Sequence, residues 1–353
     1  MIHDTAVDAV GDRLEAAILA LMDRWHVPGL SITLVHDGAV AWRRCFGLKR
    51  AGAPTPVEPD TIFQAASLSK PVFAYVVLKM AERGEIELDA SLTAYLPDPY
   101  VSDDPLLDRI TARRVLSHTT GWPNWRPEGQ SLRREGVPGE HFGYSGEGYV
   151  YLQHVVERVT GQPLDTYMKA NLLDPLGMTD SSYAWADADD SAVASSHDRE
   201  GKLCERYSGI RPEAASSLHT TPHDFGRFLM TMMTSGREPW RLHQESIVEM
   251  LRPQVRLNDG VSWGLGWGLE DTRNGRAIWH WGDNPGYKSF ALAAPDVGRG
   301  LVVMTNGDGG AALWEPVVRL IFGDDRLAFA WLTSFYRSRL PGRGDEVIVC
   351  HET

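Results

Sequence analysis

Apolar residues recur at helical spacing near the start of the chain, where Val7, Val10, Leu14, Ile18, Leu21 and Trp25 predict an amphipathic helix over Asp4 to Trp25. Two short runs, Leu30 to His36 and Ala39 to Phe46, flank Asp37-Gly38 and predict a hairpin. From Ser67 to Arg83 the chain is almost continuously apolar and closes on Gly84, the pattern of a helix buried on most sides. Helical spacing returns at Thr111 to Leu116, Gly146 to Val159 and Leu164 to Leu173, between Pro- and Gly-rich connections, and again over His223 to Thr234. Strand patterns then take over. Trp263 to Asp271 and Arg276 to Trp281 flank Asn274-Gly275; Tyr287 to Ala293 and Leu301 to Thr305 follow, then a helix near Ala311 to Phe322. The tail from Asp324 to Thr353 reads as partly helical and carries Val347-Ile348-Val349 near its end.

Strands therefore fall in an early and a late block with helices between them. Tight turns make neighbouring strands antiparallel, which argues against a doubly wound parallel sheet. The fold class expected is α/β of the α+β type, an antiparallel β-sheet domain with a mostly helical insertion. Residues 1–84 and 225–353 would form the sheet domain and residues 85–224 the insertion.

The 353 residues are 43% hydrophobic, enough for one large core or two modest ones. With 47 acidic against 35 basic side chains, a formal charge of −12 and no run of Lys and Arg, nucleic acid is not an expected partner. The longest apolar stretch, Val72 to Leu78, is far short of the ~20 residues that cross a bilayer, so no membrane association is expected. Asp4, Asp8, Asp12 and Glu15 stand where a signal peptide would be cationic, which points to a cytoplasmic protein. Cys45, Cys204 and Cys350 are odd in number and lack metal-ligand spacing, as suits free thiols in a reducing compartment.

Chemistry first shows at Ser67-Leu68-Ser69-Lys70, at the start of the buried helix. Residues three apart on a helix share a face, so a hydroxyl and an amine meet there. A serine needs a base to become a nucleophile, and a desolvated lysine has its pKa lowered toward that role. The free N–H groups and positive dipole end of a helix start favour a developing oxyanion. Ser-x-x-Lys alone is a weak signal. It is joined by Tyr144-Ser145-Gly146, before a helix, and by His280-Trp281-Gly282, on a strand where His280 and Gly282 point to one face.

With these three motifs in order, the sequence resembles the serine β-lactamase and penicillin-binding-protein superfamily, in particular its branch of class C β-lactamases, D-amino-acid peptidases and β-lactamase-like esterases. The likeness runs from about residue 10 to about residue 325. It includes Phe63 to Lys70, Leu116-Ser117-His118-Thr119-Thr120-Gly121 and Leu172-Leu173-Asp174-Pro175-Leu176-Gly177-Met178. The resemblance implies an antiparallel sheet flanked by N- and C-terminal helices, with the active site in the cleft between sheet and helical domain. It implies that Ser67 forms an acyl-enzyme and that Lys70 with Tyr144 moves the proton, either of the two being the base. The oxyanion hole would be the backbone N–H groups of Ser67 and Asp283. His118, within the Leu116 to Gly121 segment, would be structural.

Two departures bear on substrate. Where the family's lactamases usually carry Asn as third residue of the tyrosine motif, this chain has Gly146; where they usually carry Lys at the start of the third motif, it has His280, largely neutral at pH 7. Both tilt the expectation toward a carboxylesterase on small esters. A D-amino-acid amidase or peptidase, a weak β-lactamase, an acyltransferase and a non-catalytic binding or sensor relative are the alternatives. Trp122, Trp125, Trp263 and Trp267 sit in segments able to line the cleft, and Trp125 is the best placed. Substrate-binding residues are thus His280, Gly282, Trp125 and Gly146, and the expected partner is a small ester or amide.

Rival motifs are weaker. Gly260-Val261-Ser262-Trp263-Gly264 matches a nucleophile elbow, but that motif needs a helix after the serine and a glycine-rich stretch follows. His219 and His223 are four apart yet lack His-Glu-x-x-His and straddle Pro222, so they mark a helix start. Thr305 to Gly310 is glycine-rich but lacks the ending of a phosphate loop. No metal and no cofactor are expected.

Overall fold

The structure, a computed structural model, describes residues 4–96, 98–184, 190–204, 211–234, 236, 238–323 and 326–339. Helix α1 (Asp4–Arg24) buries Leu14, Ile18 and Met22; the side chains of Val7 and Val10 lie outside those described. Strands β1 (Gly29–His36) and β2 (Ala39–Gly47) form the foreseen hairpin, with Asp37 and Gly38 both at positive φ, as a tight turn between right-twisted strands requires. β3 (Phe63–Ala66) leads into α2 (Ser69–Glu82), which is buried from Ser69 to Met80 and followed by Gly84 at φ 72°.

Between the sheet blocks lie α3 (Ala112–Leu116), α4 (Gly146–Thr160), α5 (Leu164–Met168) and α6 (Asp174–Leu176); a wider-wound turn at Lys169–Leu173 breaks the one helix expected over Leu164 to Leu173. The Ser145 hydroxyl caps α4 by accepting the Gly148 N–H, and Thr111 caps α3 through Arg114. β4 (Leu218–Thr220) pairs with β3, and α7 (Pro222–Thr231) starts at Pro222 with Thr221 as its cap. α8 (Gln244–Met250) precedes the late strands β5 (Val255–Asn258), β6 (Val261–Trp263), β7 (Gly268–Thr272), β8 (Gly275–Asn284), β9 (Tyr287–Ala294) and β10 (Arg299–Thr305). Helices α9 (Trp314–Phe322) and α10 (Leu327–Arg339) follow. The remaining tail, with Val347 to Val349 and Cys350, lies outside the described residues; Cys45 and Cys204 are free thiols.

The sheet has eight strands in the order β2-β1-β10-β9-β8-β7-β6-β5, every neighbouring pair antiparallel. One face packs under α1, α9 and α10, where Leu30, Ile32, Leu292, Leu301 and Val303 meet Leu14, Ile18, Trp314, Val317 and Leu332. The other face, through Ala291, Ala293, Val302 and Met304, shares a core with α2, α4 and α7. Covered on both sides, β9 is buried along its whole length.

Two expectations shift. The strand expected over Trp263 to Asp271 is two strands, because Gly264 to Trp267 leaves the sheet to pass against α2. A Cβ on Gly266, at φ 89°, would stand 2.6 Å from that of Ala74. In the β7–β8 hairpin Thr272 pairs with Gly275, so Arg273 and Asn274 make the turn and Gly275 opens the strand. Among the described residues no helix is long and apolar enough to cross a membrane, and no three His, Cys, Asp or Glu side chains gather to hold a metal.

Candidate active site

Ser67 stands on the turn between β3 and α2, two residues ahead of the first helical residue, rather than inside the helix as its motif suggested. The turn is tight: Leu68 N–H donates to Ala65 O (3.1 Å) and Lys70 N–H to Ser67 O (3.0 Å). Ala66 takes φ 51°, a left-handed conformation that costs a non-glycine residue on the order of 1 kcal/mol and needs support from its surroundings. Ser69 supplies it. Its hydroxyl donates to Ala66 O (2.5 Å) and accepts the Leu218 N–H (2.9 Å), tying the turn to β4, while Tyr183 Oη donates to Ser69 O (2.7 Å).

Lys70 has no exposed surface. Its Nζ lies 2.9 Å from Ser67 Oγ and donates to Ala215 O at 2.8 Å. It also sits 4.8 Å from the centre of the Tyr144 ring and 5.6 Å from that of Tyr149. Burial lowers the Lys70 pKa to about 7, against the smaller opposing pull of Glu213, so a substantial neutral fraction exists at neutral pH.

Tyr144 is 4% exposed, and the His118 ring stacks on it at 4.2 Å. His118 is itself held at φ 54°, and its Nδ1 accepts the Ser145 N–H at 3.1 Å. These contacts hold its ring between Tyr144 and the start of α4.

His280 is fully buried on β8, its ring centre 6.2 Å from that of Tyr144. Nδ1 lies 2.7 Å from Trp281 O, a contact that places the proton on Nδ1 and leaves Nε2 a bare acceptor. Burial, then the charge of Lys70, push its pKa down to about 3, so the ring is neutral. Gly282 is where β8 crosses β3: a Cβ there would stand 2.1 Å from Ala65 O and 2.2 Å from Ser289 Oγ. That close approach seats β8 against the end of β3, two residues ahead of Ser67. β7 pairs with β8 only as far as Trp279, so it leaves the edge of β8 from His280 onward uncovered.

Gly146 opens α4, and its N–H donates to both oxygens of Asn124. A Cβ on Gly146 would stand 2.6 Å from the Trp125 ring, so the indole fills the place a side chain would take. Trp125 is 43% exposed, whereas Trp122, Trp263 and Trp267 are core residues with at most 1% exposure. Ser262 lies on an antiparallel strand with no helix after it, which removes the nucleophile-elbow reading. His219 and His223 flank the cap of α7, His219 Nδ1 lying 2.8 Å from Ser217 O. Sequence reasoning missed the Ala215 carbonyl and the Ser69 and Tyr183 bonds, because nothing local marks which backbone groups a distant segment will present.

The sequence matches the family model described as Beta-lactamase over residues 14–322. It is 33% identical over 236 residues to esterase EstB of Burkholderia gladioli, covering 58% of this chain and 57% of EstB. It is 26% identical to penicillin-binding protein 4 of Amycolatopsis lactamdurans, over 86% of this chain and 87% of that one. The fold is similar to that of the octameric penicillin-binding protein homologue from Pyrococcus abyssi (TM-score 0.79, 24% identity, 93% of this chain and 80% of that one). It is also similar to a class C beta-lactamase (TM-score 0.76, 19% identity, 85% and 91%). The match extends from the middle of α1 to the end of α9 and takes in all three motifs, and on that ground this chain belongs to the Beta-lactamase family.

Proposed function

We propose that this protein is a serine hydrolase that cleaves small carboxylic esters through an acyl-Ser67 intermediate. The observation that carries the reading is the 2.9 Å contact between Ser67 Oγ and a fully buried Lys70 whose pKa burial brings to about 7. Neutral Lys70 takes the proton as Ser67 Oγ bonds to the ester carbonyl carbon. The oxyanion is held by the backbone N–H groups of Ser67 and Asp283. The carbonyl–alkoxide bond then breaks, and the proton passes by way of Lys70 and Tyr144 to the departing alcohol. Water attacks the acyl-serine by the reverse path, releasing the acid and restoring Ser67.

Two features favour esters over amides and β-lactams. His280 is neutral and cannot offer a carboxylate the charge that lysine would, and Trp125 fills the space over Gly146 where an amide-recognising side chain would project. The similarity to EstB, an esterase by name, points the same way.

The test is intact-mass spectrometry of wild type and Ser67→Ala after exposure to a short activated ester and, separately, to a β-lactam, with product release followed. The expected result is ester turnover and an acyl adduct in the wild type, neither in Ser67→Ala, and slow or no lactam opening. A Ser67→Ala protein hydrolysing esters at the parental rate would overturn the assignment; fast lactam opening would overturn the substrate class.

A further inference from the structure

Helix α10 begins beyond the segment that matches the family model, yet its second half reaches the site. Its start is anchored at the far end of the sheet, where the Leu327 N–H donates to the Glu270 carboxylate and Arg326 lies 3.8 Å from it, both charged groups almost fully buried. Ala328, Phe329 and Leu332 pack into the core beneath the sheet. One turn further, Trp331 and Phe335 stack at 5.1 Å, four residues apart on one helix face. The Phe335 ring meets Tyr144 edge-on at 5.8 Å and Trp281 at 5.5 Å. Tyr336 Oη accepts the Trp281 indole N–H at 2.9 Å and donates to the Asp283 carboxylate at 2.8 Å. Phe335 differs from the core aromatics in remaining partly open to solvent while touching a tyrosine that is 4% exposed.

We propose that α10 is a specificity wall of the site: Phe335, held by Tyr336 against Tyr144 and the Trp281-Gly282-Asp283 strand, receives the apolar alcohol part of the ester. The inference rests on the hydrolase reading above and extends it to substrate class. The group that takes the proton relayed through Tyr144 is the departing alkoxide, so the alcohol carbon chain lies beside Tyr144, and Phe335 is a partly exposed ring packed against Tyr144. Tyr336 is a positioning residue. It bonds to the two residues that bracket Gly282 and so couples the wall to the strand that carries the second oxyanion donor. Trp125, exposed over Gly146, is a separate ring from this wall.

The experiment measures kcat/KM of wild type, Phe335→Ala, Phe335→Leu and Tyr336→Phe on two ester series, acetates of increasingly large alcohols from methyl to benzyl and methyl esters of increasingly large acids. In the wild type the rate should climb along the alcohol series. Phe335→Ala should flatten that climb by roughly ten-fold at benzyl acetate, the size of one aromatic contact, while the slope of the acyl series stays that of the wild type. Phe335→Leu, which keeps bulk and folds where the alanine variant does not, should give a smaller flattening. Tyr336→Phe should raise KM for the large alcohols more than it lowers kcat. A uniform fall across both series, or a flattening confined to the acyl series, would overturn the wall. A wild-type protein without a Ser67 adduct would remove the hydrolase reading and the wall with it, whereas an adduct retained in Phe335→Ala with unchanged alcohol selectivity removes the wall alone.

Discussion

Gly146 and Trp125 form a matched pair: the ring occupies the volume that any side chain at 146 would need. Gly146→Asn should therefore lose most ester activity, because the new Cβ, 2.6 Å from a ring carbon, forces the indole out over the cleft. Trp125→Ala/Gly146→Asn should recover stability relative to Gly146→Asn and shift relative activity from esters toward amides. A double-mutant cycle on kcat/KM and melting temperature checks this, and additive effects would mean the two residues do not share the space. The motifs that carry these residues were legible in the sequence, since Ser67, Lys70, Tyr144 and His280 stand at recognisable spacings. The partners that set their chemistry were not. Ala215 O and the His118 ring reach the site from other parts of the chain, and the pKa of Lys70 depends on burial that only the folded protein defines.

Among the elements, β8 does most to assemble the site, because its crossing of β3 at Gly282 has no room for a side chain. Gly282→Ala should push the two backbones apart and cost about 1–3 kcal/mol, the range for overpacking a filled site, with activity falling further because β8 moves away from the strand that leads into Ser67. Chemical denaturation and ester turnover measured on the same preparation test this; a variant of parental stability and activity would show that the crossing yields without cost. Most elements followed from pattern: the Asp37-Gly38 turn, the buried α2 and the capped α4 all express local preferences. Those that were not foreseen are short or depend on partners. β3 and β4 are four and three residues long, and β5 pairs only with the three-residue β6 at the sheet edge.

For the molecule as a whole, folding buries two basic groups and lowers the pKa of each, and stability must follow pH accordingly. His280 falls from 6.5 to about 3 and Lys70 from 10.5 to about 7. In each interval the unfolded chain binds a proton that the folded chain does not, so stability rises with pH from about 3 to 6.5 through His280 and again from about 7 to 10.5 through Lys70. Unfolding free energies measured across pH should rise more steeply in wild type than in His280→Asn over the acidic window, and more steeply than in Lys70→Met over the alkaline one. Parallel curves in either window would show that the group is not held neutral by the fold.

The order of elements, the antiparallel arrangement and the motifs of the candidate site were decided by the chain alone, because periodicity, turn residues and motif spacing act over a few residues at a time. Tertiary structure decided the turn position of Ser67 ahead of its helix, the lowered pKa of Lys70 and the neutrality of His280, the seating of Trp125 on Gly146 and the arrival of α10 at Tyr144. Each of these comes from segments far apart in sequence competing for the same volume or excluding water together, and no local pattern encodes which distant group will be there.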